Sequence, residues 1–327
     1  MKELELWQFA AKRLKRDESV ILLAVAESFG SSPGRQGFKM IVARDDLAGS
    51  IGGGVMEVAL VEQVRLQIKN PQSQIPNPKS QIVEQVHQKN SPNSSGMICS
   101  GTQTVILFEL NPSHLKTVRK IIRALKNHQP RRFQISNFKF QIMEKPPQGG
   151  TQNDDFKFEK TSENEFIYEE IIGYKNKLFI IGGGHCALAL SEIMSKMDFH
   201  ISLFDDREDL NTLAKNKFVH EKKIIQSYEK IGEFIESGNN IYVVVMTLGY
   251  KFDEIVIRRL FDKDFKYFGV LGSKAKMKTL LRNLEKEGFD KTKLNKIHTP
   301  VGLKINSRTP AEIAVSIAAE IIAVKNR

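Results

Sequence analysis

Cysteine is scarce in this sequence, which has only Cys99 and Cys186 in 327 residues. Two thiols are too few for a disulfide framework, and they cannot complete a structural zinc site without histidine ligands. Long apolar runs are also lacking, because no stretch approaches the roughly 20 residues needed to span a bilayer. The amphipathic pattern of residues 1–20 does not resemble a signal peptide. The sequence therefore predicts a cytoplasmic protein without a membrane segment.

Motifs for nucleic-acid binding are missing as well. The formal net charge is +11 at pH 7, and such an excess attracts anionic cofactors, acidic partners or nucleic acid. The chain has no helix-turn-helix, zinc-finger or aromatic-plus-basic strand motif. The charge is therefore interpreted as a lysine-rich solvated surface, and nucleic acid is not expected as a partner. The length fits two domains, and the 41% hydrophobic content fits globular folding.

The first part of the chain predicts a small α/β domain over residues 1–112. Its expected elements are a helix over 4–14, a strand over 19–29, a loop over 30–37 and a strand over 38–43. The stretch GSIGGGVMEVAL at 49–60 then leads into an amphipathic helix. The apolar face of that helix is expected to comprise Leu60, Val61, Val64 and Ile68. The glycine triplet thus precedes a helix N-terminus.

The middle of the chain is more polar. NPQSQIPNPKSQI at 70–82 repeats a seven-residue unit and is interpreted as an inserted linker. A strand is expected at the end of 97–110 and a helix over roughly 113–127. Short β runs between 131 and 174 predict hairpins that join two domains, so 113–174 is assigned as a connecting region.

Residues 175–327 predict a Rossmann-like domain. Strands are expected over 177–181, 200–206, 241–247 and 267–272, with helices between them. Strands that alternate with helices form a doubly wound parallel sheet, so the fold class is α/β in both domains. Near the end, Thr309, Pro310 and Glu312 predict an N-cap, a first helical residue and a capping box.

A dinucleotide-binding pattern lies at the start of this second domain. Gly182, Gly184 and Ala187 match G-x-G-x-x-A between a strand and a helix. The first glycine permits the tight turn, the second admits a pyrophosphate and the third small residue lets helix pack on strand. Asp205 follows about 20 residues later, where an acid accepts hydrogen bonds from a ribose. The pattern predicts a nucleotide such as NAD(P), although a Rossmann-like fold without one remains an alternative.

Three neighbouring side chains have two interpretations each. His185 either donates to a bound anion or caps the turn, and Cys186 is either a reactive thiol or a small buried residue. Ser273 lies after a strand, at the edge where open α/β sheets bind ligands, and also at the start of a helix. It is therefore either a ligand contact or a helix cap.

The first glycine triplet, Gly52, Gly53 and Gly54, lacks the lysine of a nucleotide-hydrolysing loop. Its backbone N–H groups remain as anion donors, although Glu57 in the first helical turn would repel a phosphate placed too close. The loop GSSPGRQG adds Ser31, Ser32 and Arg35, whose hydroxyls and planar guanidinium suit phosphate or pterin oxygens. Together these residues predict one binding site.

Several stretches, in this order, resemble the xanthine dehydrogenase accessory family, XdhC/CoxI. They are GSSPGRQGFKMIV, GSIGGGVMEVAL, ICSGTQTVILFEL, FIIGGGHCALAL with LFDDRE, GVLGSKAKM and HTPVGLKINSRTPAEIAVSIAAEII. The resemblance covers most of the chain except 70–82 and 111 to about 165. It implies a molybdenum cofactor chaperone that holds the sulfurated molybdopterin cofactor and delivers it to a xanthine dehydrogenase-type molybdenum hydroxylase. It also implies a cysteine desulfurase as a further partner and no catalysis by the chain itself. A homodimer is expected from the apolar C-terminal helix, which either packs within its own domain or against a partner.

The resemblance also bears on the metal ligand. The family usually has a cysteine directly after the first glycine triplet, where this sequence has Val55. A valine cannot ligate a metal, so the role of soft ligand is either absent here or taken by Cys99, which matches a second family cysteine. Cys99 is the predicted metal ligand, and the alternative for it is a half-buried thiol at a strand edge. Family members often have a histidine near TLGYKFD, where this chain has Leu248 and Tyr250, and no role is transferred there. The alternative functions are an NAD(P)- or FAD-dependent oxidoreductase and a Rossmann domain that binds a regulatory nucleotide.

Overall fold

The computed structural model describes residues 3–69, 80–87, 101–137, 139–143, 156–162, 165–173, 176–197 and 199–326. The chain divides into two compact units, Met1–Gly173 and Tyr174–Arg327. Each unit contains its own clusters of buried apolar side chains.

A five-stranded antiparallel sheet of order β3-β2-β1-β5-β4 forms the centre of the first unit. Its strands are β1 (Val20–Gly30), β2 (Lys39–Val42), β3 (Leu47–Gly49), β4 (Ser80–His87) and β5 (Gly101–Leu110). The helices of the unit are α1 (Glu3–Leu14), α2 (Gly54–Lys69) and α3 (Leu115–Lys126). The middle of β1 is apolar at consecutive positions because helices cover both faces of the sheet.

Each face of this sheet packs against different helices. On one face, α2 inserts Leu60, Val61 and Val64 against Leu23 and Val25, so the predicted apolar stripe of α2 faces the sheet. The other face packs against α1 and α3, where Trp7 and Val118 belong to the same buried cluster as Leu22.

A second, four-stranded antiparallel sheet completes the first unit. Its strands are β6 (Arg131–Ser136), β7 (Phe140–Ile142), β8 (Phe156–Lys160) and β9 (Phe166–Ile172), in the order β7-β6-β9-β8. The Phe133 ring on β6 meets Trp7 of α1 edge to face, with centroids 5.5 Å apart. The described residues of 113–173, part of the region expected to connect two domains, thus belong to the first unit.

The last three residues of the expected linker at 70–82 belong to a strand in the structure. Residues 70–79 lie outside the described residues, but Ser80 begins β4, which pairs antiparallel with β5. The assignment of 80–82 to a linker was therefore wrong. The ladder places Gln85 opposite Gln103, and pairing with a long neighbouring strand outweighs the low apolar content of SQIVEQVH.

The second unit is a doubly wound parallel sheet of order β12-β11-β10-β13-β14, which confirms the predicted Rossmann-like fold. Its strands are β10 (Asn176–Ile181), β11 (Phe199–Asp205), β12 (Glu221–Ile224), β13 (Gly238–Val245) and β14 (Phe265–Val270). Its helices are α4 (His185–Met194), α5 (Asn211–Lys215), α6 (Tyr250–Leu260), α7 (Lys274–Lys286), α8 (Lys291–Leu294) and α9 (Pro310–Lys325).

Helices cover both faces of the parallel sheet. Leu190 of α4 and Ile317 of α9 belong to one buried cluster, and Val256 of α6 and Leu280 of α7 belong to the other. Strand order reverses between β10 and β13, so the crevice at the carboxyl ends of these two strands is the expected ligand position of an open α/β sheet.

The last helix begins as the sequence predicts. The Thr309 side chain accepts a hydrogen bond from the Glu312 N–H, and the Glu312 side chain accepts one from the Thr309 N–H, with Pro310 in the first turn. This reciprocal pairing satisfies backbone donors that the helix leaves without partners. Among the residues described, no helix is both long and apolar enough to cross a membrane.

Candidate functional site

Two loops meet at the end of the sheet in the first unit. A Cβ added to Gly34 would lie 2.1 Å from the Ile51 carbonyl oxygen, and one added to Gly52 would lie 2.3 Å from the Gly34 nitrogen. Only glycine permits backbones to approach so closely. The structure thereby brings the 30–37 loop together with the glycine triplet.

The glycine triplet already surrounds a carboxylate of its own helix. Glu57 Oε2 accepts hydrogen bonds from Ser50 Oγ at 2.8 Å, the Ile51 N–H at 2.8 Å and the Gly53 N–H at 2.9 Å. The Gly52 N–H donates to Ser50 Oγ at 3.1 Å. The sequence predicts that these amides are free to bind an external anion. In the structure the Glu57 carboxylate already occupies that position.

Left-handed backbone makes this arrangement possible. The φ angles of Gly52, Gly53 and Gly54 are 129°, 78° and 77°, a region that side chains other than glycine rarely adopt. This backbone brings the N–H groups of Ile51 and Gly53 to the same carboxylate oxygen of Glu57, as a backbone nest does with an anion.

Ser32 has a buried role. Its Oγ donates to Gln103 Oε1 at 2.9 Å, and the Gly34 N–H donates to the same oxygen at 3.1 Å. Gln103 Nε2 in turn donates to Gln85 Oε1 at 2.6 Å. Gln103 therefore anchors the 30–37 loop to the sheet. Sequence reasoning missed it, although a glutamine that shares a strand face with Val105 is a signal of a buried polar contact.

The exposed rim of this site consists of other side chains. Ser31 and Arg35 are exposed, and the Arg35 guanidinium donates a long hydrogen bond of 3.3 Å to the Gly30 carbonyl. The apolar side chains of Phe29 and Val55 are 62% and 64% exposed. A hydroxyl, a planar cation and two apolar surfaces are thus accessible to a ligand.

Cys99, the expected soft ligand, lies outside the described residues. In the part of the chain that the structure does describe, no three His, Cys, Asp or Glu side chains are grouped to hold a metal ion.

The glycine turn of the second unit has the geometry of a dinucleotide-binding loop. Gly182 has a φ of 106°, and a Cβ there would lie 2.3 Å from the Met246 carbonyl oxygen. Gly184 caps α4 without a side-chain hydrogen bond, and a Cβ there would meet no atom within 4 Å. Ala187 is fully buried against the sheet. The three positions serve the tight turn, the open approach and the close packing that the pattern requires.

Asp205 does not present its carboxylate to this crevice. Its side chain is fully buried, with Oδ2 accepting from the Gly183 N–H at 2.6 Å and Oδ1 from the Arg207 N–H at 2.9 Å. The Arg207 guanidinium adds two further bonds of 2.9 Å. Burial alone would raise the pKa of Asp205, but these hydrogen bonds outweigh it and lower the pKa. In this conformation the predicted ribose acceptor instead stabilises the glycine turn.

The remaining predicted side chains, His185, Cys186 and Ser273, follow the carboxyl ends of strands in the same parallel sheet. His185 is exposed in the first turn of α4, whereas burial raises the pKa of the neighbouring Cys186 thiol and disfavours a reactive thiolate. Ser273 caps α7 by accepting a hydrogen bond from the Lys276 N–H. Of the two roles considered for this residue, the structure thus shows the helix cap. Arg207, which sequence reasoning overlooked, is two residues past the acid in LFDDRE.

Two family descriptions match the chain. "XdhC Rossmann domain" matches residues 178–321, and "XdhC and CoxI family" matches residues 13–75, which include both loops of the first unit. A solved structure described as a xanthine dehydrogenase from Bacillus halodurans has a TM-score of 0.73 and 20% identity, covering 100% of this chain and 96% of that chain. At this identity the likeness shows the fold.

Two curated relatives also match. One, from Bacillus subtilis (strain 168), is named as a probable xanthine dehydrogenase subunit, and it is 31% identical over 52% of this chain and 48% of its own length. The uncharacterized protein YqeB of Escherichia coli (strain K12) is 28% identical over 49% of this chain and 29% of its own length. The match thus spans less than half of either relative. Since the two family matches include the glycine turn of each unit and together cover more than half of the sequence, the chain belongs to the XdhC and CoxI family.

Proposed function

We propose that this protein is a non-catalytic accessory factor that binds the molybdenum cofactor and delivers it, in sulfurated form, to a xanthine dehydrogenase-type molybdenum hydroxylase. Membership of the XdhC and CoxI family is the observation that carries the proposal. The name of the Bacillus subtilis relative, which refers to xanthine dehydrogenase, supports a partner of that type.

The chemistry of the first unit supports part of this role. The cofactor has a terminal phosphate, a polar pterin and a dithiolene that holds the metal. Arg35 and Ser31 are exposed donors for phosphate or pterin oxygens, and Phe29 and Val55 supply apolar surface beside them. The amides around Glu57 do not fit a phosphate in this conformation, because a carboxylate already fills them. The proposal therefore places the ligand on the exposed rim, with Cys99 as the proposed soft ligand.

Delivery can be tested by transfer. Protein isolated from cells that make the cofactor is incubated with a cofactor-free xanthine dehydrogenase-type hydroxylase, and hydroxylase activity is measured. We expect activity to appear and Arg35→Gln to lower it. Arg16→Gln, which removes an exposed arginine from the turn after α1, is the matched control and should transfer as the parent does. Failure of the parent to restore any activity would contradict delivery.

The oxidoreductase alternative has a different structural requirement. It needs a nucleotide in the second unit, where Asp205 is held by Gly183 and Arg207. Calorimetric titration with NADH, NADPH and FAD separates the possibilities. Tight binding with substrate reduction would favour the oxidoreductase, and binding without turnover would indicate a regulatory nucleotide.

A further inference from the structure

A basic cleft of about 420 Å³ lies in the second unit alongside residues Phe265–Phe268 of β14. Residues from the turn before β14, from β14 itself and from the segment 293–298 line it. Its four lysines are Lys263, Lys266, Lys293 and Lys296, against a single lining carboxylate, Asp264. The volume is in the range of small-molecule sites, roughly 300–1,000 Å³.

Among the described residues, carboxylates do little to neutralise the charges of Lys263, Lys293 and Lys296. Lys263 Nζ donates to the Ile235 carbonyl at 2.6 Å, a neutral acceptor. Lys293 Nζ lies 3.5 Å from a carboxylate oxygen of Asp262, whose side chain is 92% exposed, so solvent screens the pair. Among the described residues, no carboxylate is within salt-bridge distance of Lys263 or Lys296. An anion in the cleft would therefore gain attraction from several ammonium groups.

His298 on the cleft wall is held in one orientation. Its Nδ1 lies 3.2 Å from Glu320 Oε1, and its ring packs on Tyr267 with centroids 4.6 Å apart. Glu320 Oε2 also accepts from the Tyr267 hydroxyl at 2.5 Å and the Gly302 N–H at 2.8 Å. Burial alone would raise the pKa of Glu320, but these donors outweigh it and lower the pKa, so the carboxylate stays ionised. Such a carboxylate fixes the imidazole and leaves Nε2 as its second polar atom.

Aromatic side chains form the rest of the wall. Phe265 and Phe268 meet edge to face with centroids 5.6 Å apart, and Phe261 lines the cleft near them. Partly exposed rings beside cations suit a ligand that has a charged group and an apolar or planar organic group.

We propose that this cleft is a binding site for a phosphate monoester with an aromatic organic group. The ammonium groups of Lys293 and Lys296 attract the phosphate, His298 gives it a positioned polar contact, and Phe265 and Phe268 pack on the organic group. The site uses none of the residues assigned to cofactor delivery, so its test is independent of that proposal.

The test is calorimetric titration of the full chain at low ionic strength with inorganic phosphate and with phenyl phosphate. We expect both to bind, phenyl phosphate more tightly. The double variant Lys293→Gln/Lys296→Gln should weaken binding about tenfold, because two exposed cations near a phosphate together contribute on the order of 1.4 kcal/mol. His298→Gln should weaken it further. Both lysines are exposed, so the variants should fold, which circular dichroism can check.

The matched control is Lys278→Gln/Lys286→Gln, which removes the same charge from exposed positions of α7 outside the cleft. It should bind both ligands as the parent does. An equal loss in the control would show non-specific attraction and overturn the site, as would a parent that binds neither ligand. Equal affinity for the two ligands would overturn the role of the aromatic wall.

Discussion

Glu57 is the side chain that determines what the first glycine loop can bind. Its carboxylate accepts from Ser50, Ile51 and Gly53, and an external anion would need the same donors. We predict that Glu57→Ala lowers the free energy of unfolding by about 1–3 kcal/mol, since partly buried N–H groups lose their acceptor. Chemical denaturation measures this change.

The same variant tests whether the emptied loop accepts an anion. Added phosphate or acetate should raise the denaturation midpoint of Glu57→Ala more than that of the parent, because binding to the folded state stabilises it. Glu62→Ala, an exposed position on the same helix, is the control and should respond as the parent does. If the anions stabilise all three proteins equally, the loop is not an anion nest.

Gly52 and Gly53 offer a second residue-scale test, because both have left-handed backbone but different surroundings. A Cβ on Gly52 would overlap Gly34, whereas one on Gly53 would meet nothing within 4 Å. Gly53→Ala should cost about 1 kcal/mol of stability from backbone strain alone. Gly52→Ala should cost clearly more, because the 30–37 loop must move. Similar denaturation midpoints for the two variants would contradict the close approach of the loops.

Asp205 predicts a pH dependence. Its folded-state pKa lies below the ordinary value of 3.8 because of its bonds to Arg207 and Gly183. Its contribution to stability is therefore full above pH 3.8 and is lost as the pH falls through the folded-state pKa. The difference in free energy of unfolding between parent and Asp205→Asn should be largest near neutral pH and shrink in acid. A difference that stays constant on acidification would show that the carboxylate charge is unimportant.

The side chains show where sequence reasoning reaches its limit. The pattern placed Glu57 in the first turn of α2 and Asp205 at the end of β11, and both are there. Their direction could not be predicted, because it depends on which amides and cations the folded loops bring close. Gln103 was missed for the same reason, since its partners lie 18 and 71 residues away in sequence.

At the scale of elements, strong periodicity was a good guide. Helices α6, α7 and α9 and the strands β10, β11, β13 and β14 follow clear apolar patterns, and the structure has them within a few residues of where they are expected. Strand β12, with the exposed sequence EKKI, was not predicted. Strand β3 has only three residues, and β4 has few apolar side chains. Both form because a neighbouring strand supplies hydrogen-bond partners, which local pattern does not reveal.

The capping box of α9 gives a prediction at this scale. Thr309→Ala removes the acceptor for the Glu312 N–H and should lower the free energy of unfolding by about 1 kcal/mol. Thr309→Ser keeps the hydroxyl and should restore most of that loss. Equal destabilisation by both substitutions, measured by thermal unfolding, would show that the hydroxyl cap does not stabilise the helix.

At the scale of the whole molecule, each of the two units has one glycine loop, and the loops differ in whether a side chain already occupies their backbone N–H groups. In the first unit the loop amides hold Glu57, and in the second the uncapped start of α4 is open at Gly184. The sequence could predict both loops and the Rossmann-like fold. The order of its motifs, rather than any one of them, indicated the family that the matches show.

The most direct test of the proposed function is the metal and pterin content of the protein itself. The full chain is co-produced with the cofactor pathway, purified, and analysed for molybdenum and for the fluorescent oxidised pterin, alongside Cys99→Ser. We predict that the parent carries both and that Cys99→Ser carries less molybdenum. A parent with neither molybdenum nor pterin, and no uptake from an added cofactor pool, would contradict the account.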